Sequence, residues 1–433
     1  MKIPEIILIE SEHKPGNLAR ILAVIGEHDL TVDHLSMVHR EGGKTVWEVT
    51  LDMDAEADRQ VFKEIDDLSG ARVLGRSDRV FNRHAGGKIR TVSRVHIESQ
   101  QVLRDIYTPG VARVCLAIQE NPERAWDWTN MGNSVAIVTN GTAILGLGNI
   151  GALAGLPVME GKAALLADFA DLTGVPILLD STDPQEVIRT VESIAPSFGG
   201  IQLEDIAAPA CFEIERALID RLDKPVLHDD QHGTAVVTLA ALLNACDRVG
   251  RRLEESTVGQ VGLGAAGIGI VRLLTHSGLG HVMGADLNPQ AQQRLQQMGG
   301  EPATLEEVMQ NADIVVATTG VKGLIKPEMI RKGQIILALS NPDPEIEPST
   351  ALEAGAAFAA DGKSINNVLG FPGLFRGALQ ARATGFTDAM LIAAARSIAS
   401  QAGEYDLVPD ALDRNVHLNV AEAVEAAARA VEP

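Results

Sequence analysis

A glycine motif, GLGAAG at residues 262–267, constrains the fold of this chain more than any other feature. The apolar stretch before it, TVGQV, predicts a strand, and the segment AAGIGIVRLLTHSG predicts a helix. A second apolar stretch, HVMGAD, ends in Asp286, nineteen residues after Gly267. A strand, a tight turn, a helix and a second strand at this spacing build the βαβ unit of a parallel sheet, so we expect an α/β fold.

Each glycine of this motif has a separate expected role. Gly262 permits the tight turn, Gly264 lets a phosphate approach the backbone, and Gly267 permits close packing of helix on strand. The helix N-terminus favours a pyrophosphate, and Asp286 is placed to bind a ribose 2′-hydroxyl. The segment therefore predicts a Rossmann-type site for NAD or NADP; the alternative is a glycine-rich packing turn. NAD is favoured because Asp286 would repel a 2′-phosphate, and no Lys or Arg follows before Arg294.

A second glycine motif, GLGNIG at residues 146–151, has the same spacing without the same context. Pro157 is expected to end any helix that follows it, because proline lacks the N–H that a helix interior needs. The chain after this motif also has no predicted strand that ends in an acid at the expected distance. We expect this copy to be a structural loop beside the site.

The composition and charge of the chain limit the classes of protein that it can be. Its 433 residues are enough for about three domains. The formal net charge of −21 would repel phosphate backbones, so we expect no nucleic-acid partner. The three cysteines lie far apart, which favours a reducing compartment, and the N-terminal MKIPEIILIESEHK does not resemble a signal peptide. We therefore expect a cytoplasmic protein.

One stretch could be mistaken for a membrane-spanning segment, since no charged residue occurs between Asp127 and Glu160. It contains repeated glycines and Pro157, which a spanning helix would rarely combine. We expect a buried strand and a glycine-rich loop here, and no membrane contact.

The first 82 residues form a separate pattern of strands and helices. Strands are predicted at 6–10, 31–39, 44–53 and 71–80, and helices at 15–30 and 56–68. The order β-α-β-β-α-β is that of a small split βαβ module. With its KPGNL turn, the module resembles an ACT domain, a regulatory module that often binds amino acids. A sheet this small gains stability by pairing with a second copy, so we expect at least a homodimer. The turn HKPGNL offers backbone N–H groups at a helix N-terminus, so we also expect a small carboxylate or amino-acid effector.

After a basic linker at 82–90, short apolar stretches alternate with helical segments, and several of these stretches end in acids. Strands are predicted at 135–139, 175–179, 200–203 and 226–228. The last three are followed by acids: Asp180 after the second strand, Glu204 and Asp205 after the third, and Asp229 and Asp230 after the fourth. Ligands bind at the carboxyl ends of parallel strands, so these acids should converge. Glu204, Asp205 and Asp230 would then offer oxygen ligands to Mg²⁺ or Mn²⁺; the alternative is a set of solvated acids.

Two histidines beside these acids raise the alternative of a zinc site. His228 and His232 are four residues apart, a spacing that helical zinc sites use. Gly233 and the acids suggest, however, that the helix begins only near residue 232. An oxygen-ligated divalent cation is therefore favoured over zinc.

Six motifs resemble, in order, those of malic enzymes of the shorter bacterial type. They are IYTPGVA (106–112), GLPVMEGKAAL (155–165), QLEDIAAP (202–209), HDDQHGTA (228–235), LSNP (339–342) and NNVLGFPG (366–373). The resemblance runs from about residue 95 to beyond 380. It implies a substrate and metal domain at 91–232 and a Rossmann-type domain with C-terminal helices at 233–433, with a cleft between them.

The resemblance also implies a reaction and the residues that carry it. The reaction is the oxidative decarboxylation of (S)-malate to pyruvate and CO₂ with reduction of NAD(P)⁺. Lys162 matches the general base, Asp229 the acid that pairs with it, and Tyr107 the general acid. The three acids named above as oxygen ligands match the metal ligands. Asn341 and Asn367 match residues that hold the substrate carboxylate and border the nicotinamide.

The implied role of Lys162 sets a requirement on its pKa, one expected substrate-binding residue is missing, and two other functions stay open. A lysine accepts the hydroxyl proton of malate only if its pKa is depressed, so we expect burial to lower the pKa of Lys162. Ala143 stands where larger eukaryotic members have a carboxylate-binding arginine, so Asn341, Asn367 or backbone N–H groups must replace it. The alternatives are a metal-assisted decarboxylating dehydrogenase of another β-hydroxy acid, and a regulatory binding protein that binds ligands without turnover.

Overall fold

The computed structural model describes residues 3–53, 59–77, 79–144, 146–278, 281–341 and 343–431. Pro342 of the LSNP motif and the start of the helix predicted at 56–68 lie outside these ranges. The chain divides into two compact units, Met1–Lys88 and Ile89–Pro433. Of the described helices, none combines the length and the apolar character needed to cross a membrane.

The first unit is an antiparallel sheet packed against two helices. Its elements are β1 (Ile3–Glu12), α1 (Asn17–Glu27), β2 (Val32–Glu41), β3 (Lys44–Met53), α2 (Arg59–Asp67), β4 (Ala71–Arg76) and a short α3 (Arg79–His84). The strands lie in the order β2-β3-β1-β4, and β1 pairs antiparallel with both β3 and β4. The predicted order β-α-β-β-α-β is therefore confirmed.

Alternating apolar side chains hold this sheet to its helices. Ile7 and Ile9 of β1 share one face of the sheet, because side chains two residues apart on a strand point the same way. They are buried with Ile21 and Ile25 of α1 and Ile65 of α2 in one cluster. Each such side chain contributes about 1.5–3 kcal/mol when fully buried, so this small core depends on few residues.

The second unit begins with α4 (Gln100–Ile106), α5 (Val111–Glu120) and α6 (Ala125–Trp128). A four-stranded parallel sheet follows, built from β5 (Ser134–Thr139), β6 (Thr173–Leu178), β7 (Gly200–Leu203) and β8 (Val226–His228). The strand order is β6-β5-β7-β8, and α7 (Ala152–Ala170), α8 (Pro184–Ile194) and α9 (Ala210–Arg221) connect the strands. The four strands predicted here are confirmed, and their parallel pairing brings their carboxyl ends to one edge.

The helix after the first glycine motif contradicts one expectation. α7 begins directly after Gly151 and continues through Pro157 for 19 residues, so the expectation that Pro157 ends the helix is wrong. Proline removes the hydrogen bond to the carbonyl four residues earlier, and Leu153 at that position is 80% exposed, so solvent can reach this turn. The uninterrupted helix carries Lys162 to the strand ends.

The long helix α10 (Asp229–Arg248) follows β8 without a loop. The expectation that it begins near residue 232 is wrong: it begins at Asp229, with His228 as its N-cap. Two acids in the first turn suit the partial positive charge of a helix N-terminus, and they are compatible with the earlier start. The predicted boundary between residues 232 and 233 falls inside this helix, whose apolar side chains are buried in a core shared with β5.

The GLGAAG motif follows the first strand of a six-stranded parallel sheet. Its strands are β9 (Thr257–Val261), β10 (His281–Ala285), β11 (Glu301–Pro302), β12 (Ile314–Ala317), β13 (Ile335–Ala338) and β14 (Phe358–Asp361). Their order is β11-β10-β9-β12-β13-β14, which is the Rossmann order. The helices between them are α11 (Ala265–His276), α12 (Pro289–Gln297), α13 (Leu305–Asn311) and α14 (Pro348–Glu353). The predicted Rossmann-type sheet is therefore confirmed.

Three C-terminal helices complete the second unit. They are α15 (Phe371–Ala381), α16 (Asp388–Ser400) and α17 (Arg414–Val431). α16 packs on α10, and both α15 and α17 pack on α7. The C-terminal helices thus pack against α7 and α10, the two helices that carry Lys162, Asp229 and Asp230.

Candidate active site

Lys162 of α7 lies among carboxylates at the edge of the four-stranded sheet. Its Nζ atom is 2.5 Å from Oδ2 of Asp229 and 3.0 Å from Oε1 of Glu204. Asp229 is fully buried at the start of α10, and Glu204, directly after β7, is 3% exposed. The ammonium also lies 4.6 Å from the centre of the Phe371 ring. Lys162 therefore has the charged partners that a buried cation requires.

The charges around Lys162 contradict one expectation from the sequence. Burial by itself lowers the pKa of Lys162, but the carboxylates of Asp229 and Glu204 outweigh it and raise the pKa above its usual range. The expectation of a depressed pKa is therefore wrong for this arrangement, because it counted burial without the paired acids. Lys162 holds its proton here and donates a hydrogen bond to Asp229.

Three acids lie together next to Lys162. Oxygen atoms of Glu204, Asp205 and Asp230 lie within 4.8 Å of one another, and in the described ranges they are the one such group of potential metal ligands. Glu204 and Asp205 follow β7, and Asp230 follows its parallel neighbour β8, so the sheet brings them together. The Asp205 backbone N–H donates to Oδ2 of Asp230 at 3.2 Å. Asp205 adopts a left-handed φ of 53°, which is uncommon for a residue with a side chain.

The chemistry of this cluster fits a divalent cation. Burial raises the pKa of Glu204, Lys162 opposes the shift, and the neighbouring acids add to it, so the pKa lies well above its usual range. Further positive charge would relieve the repulsion between these acids. An all-oxygen set of donors is the set that Mg²⁺ and Mn²⁺ prefer. The residues present therefore fit the metal that the sequence implies.

The two histidines have different partners. His228 is fully buried, with its Nδ1 atom 3.8 Å from Oδ2 of Asp230. His232 instead lies with Nε2 3.0 Å from Oε1 of Glu215 on α9. As far as the structure describes the chain, neither histidine belongs to a group of three possible metal ligands. The zinc alternative has no support in this geometry.

The GLGAAG loop has the geometry that its three glycines predict. Gly262 has a left-handed φ of 89°. A Cβ atom added at Gly264 would meet nothing within 4 Å, whereas one at Gly267 would collide with the Gly262 carbonyl oxygen. Asp286 follows β10, and its Oδ2 accepts a hydrogen bond from the Leu263 N–H at 2.7 Å. The open space at Gly264 and the carboxylate bound to the same loop fit a dinucleotide.

The two asparagines matched to substrate and nicotinamide binding lie in different loops. Asn367 donates from Nδ2 to Oγ1 of Thr234 at 2.8 Å, which ties its loop to the helix that carries Asp230. Asn341 follows β13 and packs against Gly362, where an added Cβ would lie 2.7 Å from the Asn341 Nδ2. The structure thus brings Asn367 to α10 and leaves Asn341 at the carboxyl end of β13.

Hydrogen bonds tie the loop that contains Ala143 to the acid cluster. The Ala143 backbone N–H donates to the Asp205 carbonyl oxygen at 3.0 Å, and the Ala207 N–H donates to Oγ1 of Thr142 at 2.9 Å. The N–H of Ala143 is therefore already used. A substrate carboxylate would have to find its donors elsewhere.

Tyr107 is not brought to Lys162 by any contact in the described part of the chain. It lies at the end of α4, where its backbone N–H donates to the Leu103 carbonyl at 3.0 Å. Its side chain is 67% exposed, and among the described residues no hydrogen bond reaches its hydroxyl. A single copy of the chain thus leaves the expected general acid in solvent.

Two buried glutamates that sequence reasoning missed hold the loops of the site. Glu345 is fully buried and accepts hydrogen bonds from the Thr319 N–H at 2.6 Å and from Oγ of Ser340 at 2.5 Å. Glu215 accepts hydrogen bonds from the start of α10. The buried apolar positions 211, 214 and 218 of α9 form a helical stripe that includes position 215, a signal that could have identified this residue. No such pattern surrounds Glu345.

Two family models match parts of this chain. Residues 86–219 match the malic enzyme N-terminal domain, and residues 232–332 match the NAD binding domain of D-isomer specific 2-hydroxyacid dehydrogenases. The chain is 52% identical to NAD-dependent malic enzyme 1 of Bacillus subtilis, over 98% of this chain and 97% of that protein. It is 40% identical to the NAD-dependent malic enzyme of Geobacillus stearothermophilus, over 98% and 94% of the two chains.

Solved structures show the same similarity. The malic enzyme of Pyrococcus horikoshii superposes with a TM-score of 0.76 and 41% identity, over 79% of this chain and 87% of that chain. The NAD-dependent malic enzyme of Thermotoga maritima gives a TM-score of 0.75 and 39% identity, over 81% and 99%. The ordered motifs, the lysine among its acids and these similarities together show that the chain belongs to the malic enzyme family, oxidoreductases that decarboxylate malate to pyruvate with NAD or NADP.

Proposed function

We propose that this malic enzyme uses NAD⁺ as its hydride acceptor and a divalent cation, Mg²⁺ or Mn²⁺, held by Glu204, Asp205 and Asp230. The hydride lost from C2 of (S)-malate reduces NAD⁺ to NADH, and the carboxylate next to C3 leaves as CO₂, which gives pyruvate. The observation that carries this proposal is the position of Lys162, 3.0 Å from an acid that also belongs to the three-acid cluster.

Lys162 and Asp229 act together to remove the proton from the substrate hydroxyl group. When bound, the cation supplies positive charge that lowers the pKa of a substrate hydroxyl and stabilises negative charge on substrate oxygens. For Lys162 to accept the hydroxyl proton, its Nζ must first release one, and Oδ2 of Asp229 is 2.5 Å away. Burial raises the pKa of Asp229, so this carboxylate can hold a proton for part of the cycle. Tyr107 then protonates C3 after CO₂ has left.

The choice of NAD⁺ over NADP⁺ rests on Asp286. Its two oxygens accept hydrogen bonds from the N–H groups of Leu263 at 2.7 Å and Asn288 at 2.8 Å, which hold the carboxylate beside the glycine loop. A 2′-phosphate placed there would meet like charge. The two curated relatives described above carry names that specify NAD, which agrees with this choice.

Initial rates with malate and Mn²⁺, measured with each dinucleotide in turn, test these proposals. We expect a higher kcat/KM with NAD⁺ than with NADP⁺. We expect EDTA to stop turnover, and Mg²⁺ or Mn²⁺ to restore it better than Zn²⁺. Isocitrate and tartrate in place of malate test the alternative substrates. A higher kcat/KM with NADP⁺ would contradict the choice of cofactor, and turnover that resists EDTA would contradict the metal site.

The proposal includes a homo-oligomer, at least a dimer. Tyr107 is 67% exposed, and exposed apolar side chains accompany it along the chain: Val92 at 65%, Ile97 at 60% and Leu116 at 64%. Large apolar side chains that are exposed along one segment of the chain suit a surface that another chain covers. A second copy over this segment would also remove Tyr107 from bulk water, as expected for a group that protonates carbon.

The first unit is proposed to be an ACT-like regulatory domain, residues 1–82, for a small carboxylate or an amino acid. Gly16 turns the chain into α1 with a left-handed φ of 84°. Buried Asn17 donates from Nδ2 to the Glu12 carbonyl at 2.9 Å, which fixes the turn. The first-turn N–H groups of α1 and their partial positive charge suit a carboxylate. Within the second unit, we retain 91–232 as the substrate and metal domain and 233–433 as the cofactor domain.

A further inference from the structure

We propose that Glu215 is a positioning residue, which fixes the first turn of α10 and thereby the places of Asp229 and Asp230. This inference rests on the metal site proposed above. It goes beyond that proposal because Glu215 lies on α9, outside the three-acid cluster and outside the Lys162 ion pairs.

Three groups from the start of α10 converge on the Glu215 carboxylate. Oε1 accepts a hydrogen bond from the His228 backbone N–H at 2.7 Å and lies 3.0 Å from Nε2 of His232. Oε2 accepts a hydrogen bond from Nε2 of Gln231 at 3.0 Å. These partners bracket residues 229 and 230 along the chain. Glu215 itself is 5% exposed, so water competes little for these hydrogen bonds.

Glu215 acts as a cap supplied by another helix. The N-cap of α10 is His228, whose side chain makes no capping hydrogen bond. In a capping box, the side chain three positions into the helix accepts the hydrogen bond of the N-cap N–H. Gln231 occupies that position in α10, but its amide donates to Glu215, and Glu215 accepts the hydrogen bond of the N-cap N–H. The entry of the chain into α10 is therefore set by α9.

The position of this turn matters because its two acids face different partners. Asp229 contacts Nζ of Lys162 at 2.5 Å, and Asp230 contributes an oxygen to the cluster that spans 4.8 Å. A rotation or shift of the turn would move both carboxylates together. Residues that orient the ligands of a metal typically change metal affinity by about 10–100-fold when they are lost.

The charge state of Glu215 supports this role. Burial alone raises the pKa of Glu215, but His232 and the hydrogen bonds around it outweigh burial and hold the pKa below its usual range. The carboxylate is therefore ionised where it accepts hydrogen bonds from α10. Hydrogen bonds to an ionised acceptor are shorter and about twice as strong as neutral ones.

The test measures Mn²⁺ binding directly, by the electron paramagnetic resonance signal of free Mn²⁺, on the full-length protein. Glu215→Ala removes the acceptors, whereas Glu215→Gln keeps one oxygen for the N-cap N–H. We expect the alanine variant to raise the dissociation constant for Mn²⁺ by about 10–100-fold. We expect the glutamine variant to fall between the wild type and the alanine variant, because it keeps the acceptor for the N-cap N–H and loses the acceptor for the Gln231 amide. Glu213→Gln, an exposed acid on the same helix, is the matched control and should bind Mn²⁺ normally.

Two further measurements separate the possible failures. Thermal unfolding distinguishes positioning from stability alone: a lower Tm with unchanged Mn²⁺ binding in Glu215→Ala would overturn the inference. Asp230→Asn serves as the reference for the site. If Asp230→Asn weakens Mn²⁺ binding and Glu215→Ala does not, only the positioning role fails; if neither does, the proposed metal site fails. Should the alanine variant not fold, Gln231→Met removes one of the three contacts, and unchanged Mn²⁺ binding in that variant would overturn the inference.

Discussion

The Lys162 ammonium is held between two carboxylates, and this arrangement sets what the residue can do. Asp229 and Glu204 keep it protonated, since their attraction outweighs the cost of burial. A base that begins its work protonated needs a neighbour to take the proton, and Asp229 is the group in contact with it. The resemblance to malic enzymes implied Asp229 as the partner of Lys162, but the contact with Glu204 and the protonation state of Lys162 depend on distances that only the fold supplies.

Replacement of Lys162 by alanine tests its role in proton transfer. We expect kcat to fall by about 10²–10⁴, the contribution typical of general acid–base catalysis. The affinity for NAD⁺ should change little, because the glycine loop begins a different helix. Lys63→Ala, at an exposed position of the first unit, is the control. Steady-state rates and dinucleotide titration measure both quantities, and a near-normal kcat in Lys162→Ala would remove the residue from the chemistry.

The three cysteines differ in exposure and should differ in reactivity. Cys115 is exposed, whereas Cys211 and Cys246 are buried. Burial raises the pKa of Cys211 to about 12 and that of Cys246 to about 11, so little of the reactive thiolate forms at either position. We expect a thiol reagent to modify no more than one cysteine per folded chain, Cys115, and none in Cys115→Ser. Rapid modification of a second thiol in the folded protein would contradict this assignment.

At the scale of helices and strands, periodicity predicted most elements, and contacts with other elements explain the two that it predicted wrongly. The strands after residue 91 were predictable because short apolar stretches of a parallel sheet are bounded by turns and acids. The start of α10 and the passage of α7 through Pro157 were not, since propensity rules describe isolated segments. In both places, contacts with other elements decided the outcome: α9 caps α10, and the packing of α7 on its sheet outweighs the hydrogen bond that proline removes.

The start of β9 depends on an acid outside the site. Oδ2 of Asp313 accepts a hydrogen bond from the Thr257 N–H at 3.2 Å, and Oδ1 lies 3.0 Å from Nη1 of Arg251 and 3.3 Å from Nη2 of Arg331. Burial raises the pKa of Asp313, but these partners outweigh it and lower the pKa below its usual range. The ionised carboxylate therefore joins the ends of neighbouring elements in the six-stranded sheet.

Asp313→Asn should destabilise the fold in a pH-dependent way. We expect a loss of about 1.5–3 kcal/mol at neutral pH, the usual scale for a hydrogen bond to a charged group. Because the folded pKa is the lower one, this stabilisation is complete above the unfolded value of about 3.9 and is lost as the pH falls through the folded value. The difference between wild type and variant should therefore shrink below about pH 4. Urea unfolding at several pH values measures it, with Asp220→Asn as an exposed control; a pH-independent difference would contradict the electrostatic origin.

At the scale of the whole molecule, the 58 acidic and 37 basic residues make the chain strongly anionic, yet the proposed substrate and cofactor are anions too. Long-range attraction therefore cannot gather them, and binding depends on local groups such as the glycine loop and a divalent cation. Sequence motifs predicted the metal ligands in a domain at 91–232 and the glycine loop in a domain at 233–433, and both groups lie in the second compact unit, Ile89–Pro433. Motifs could not show that Tyr107 is 67% exposed in a single copy of the chain, because exposure depends on the packing of the whole fold.

The first unit should regulate the enzyme without contributing catalytic groups, since the residues proposed for metal, proton and cofactor binding all lie beyond residue 88. Removal of residues 1–88 leaves the second compact unit, Ile89–Pro433. We expect some amino acid or small dicarboxylate to shift the malate kinetics of the full-length enzyme by about 5–150-fold, the usual range of allosteric coupling, and to leave the shortened chain unaffected. Malate kinetics and thermal shift, each measured with single candidate ligands on both proteins, give the answer. An equal response from the shortened chain would show that the effector binds to the second unit. If no ligand changes the kinetics of the full-length enzyme, the regulatory role is wrong and the first unit has a role in assembly only.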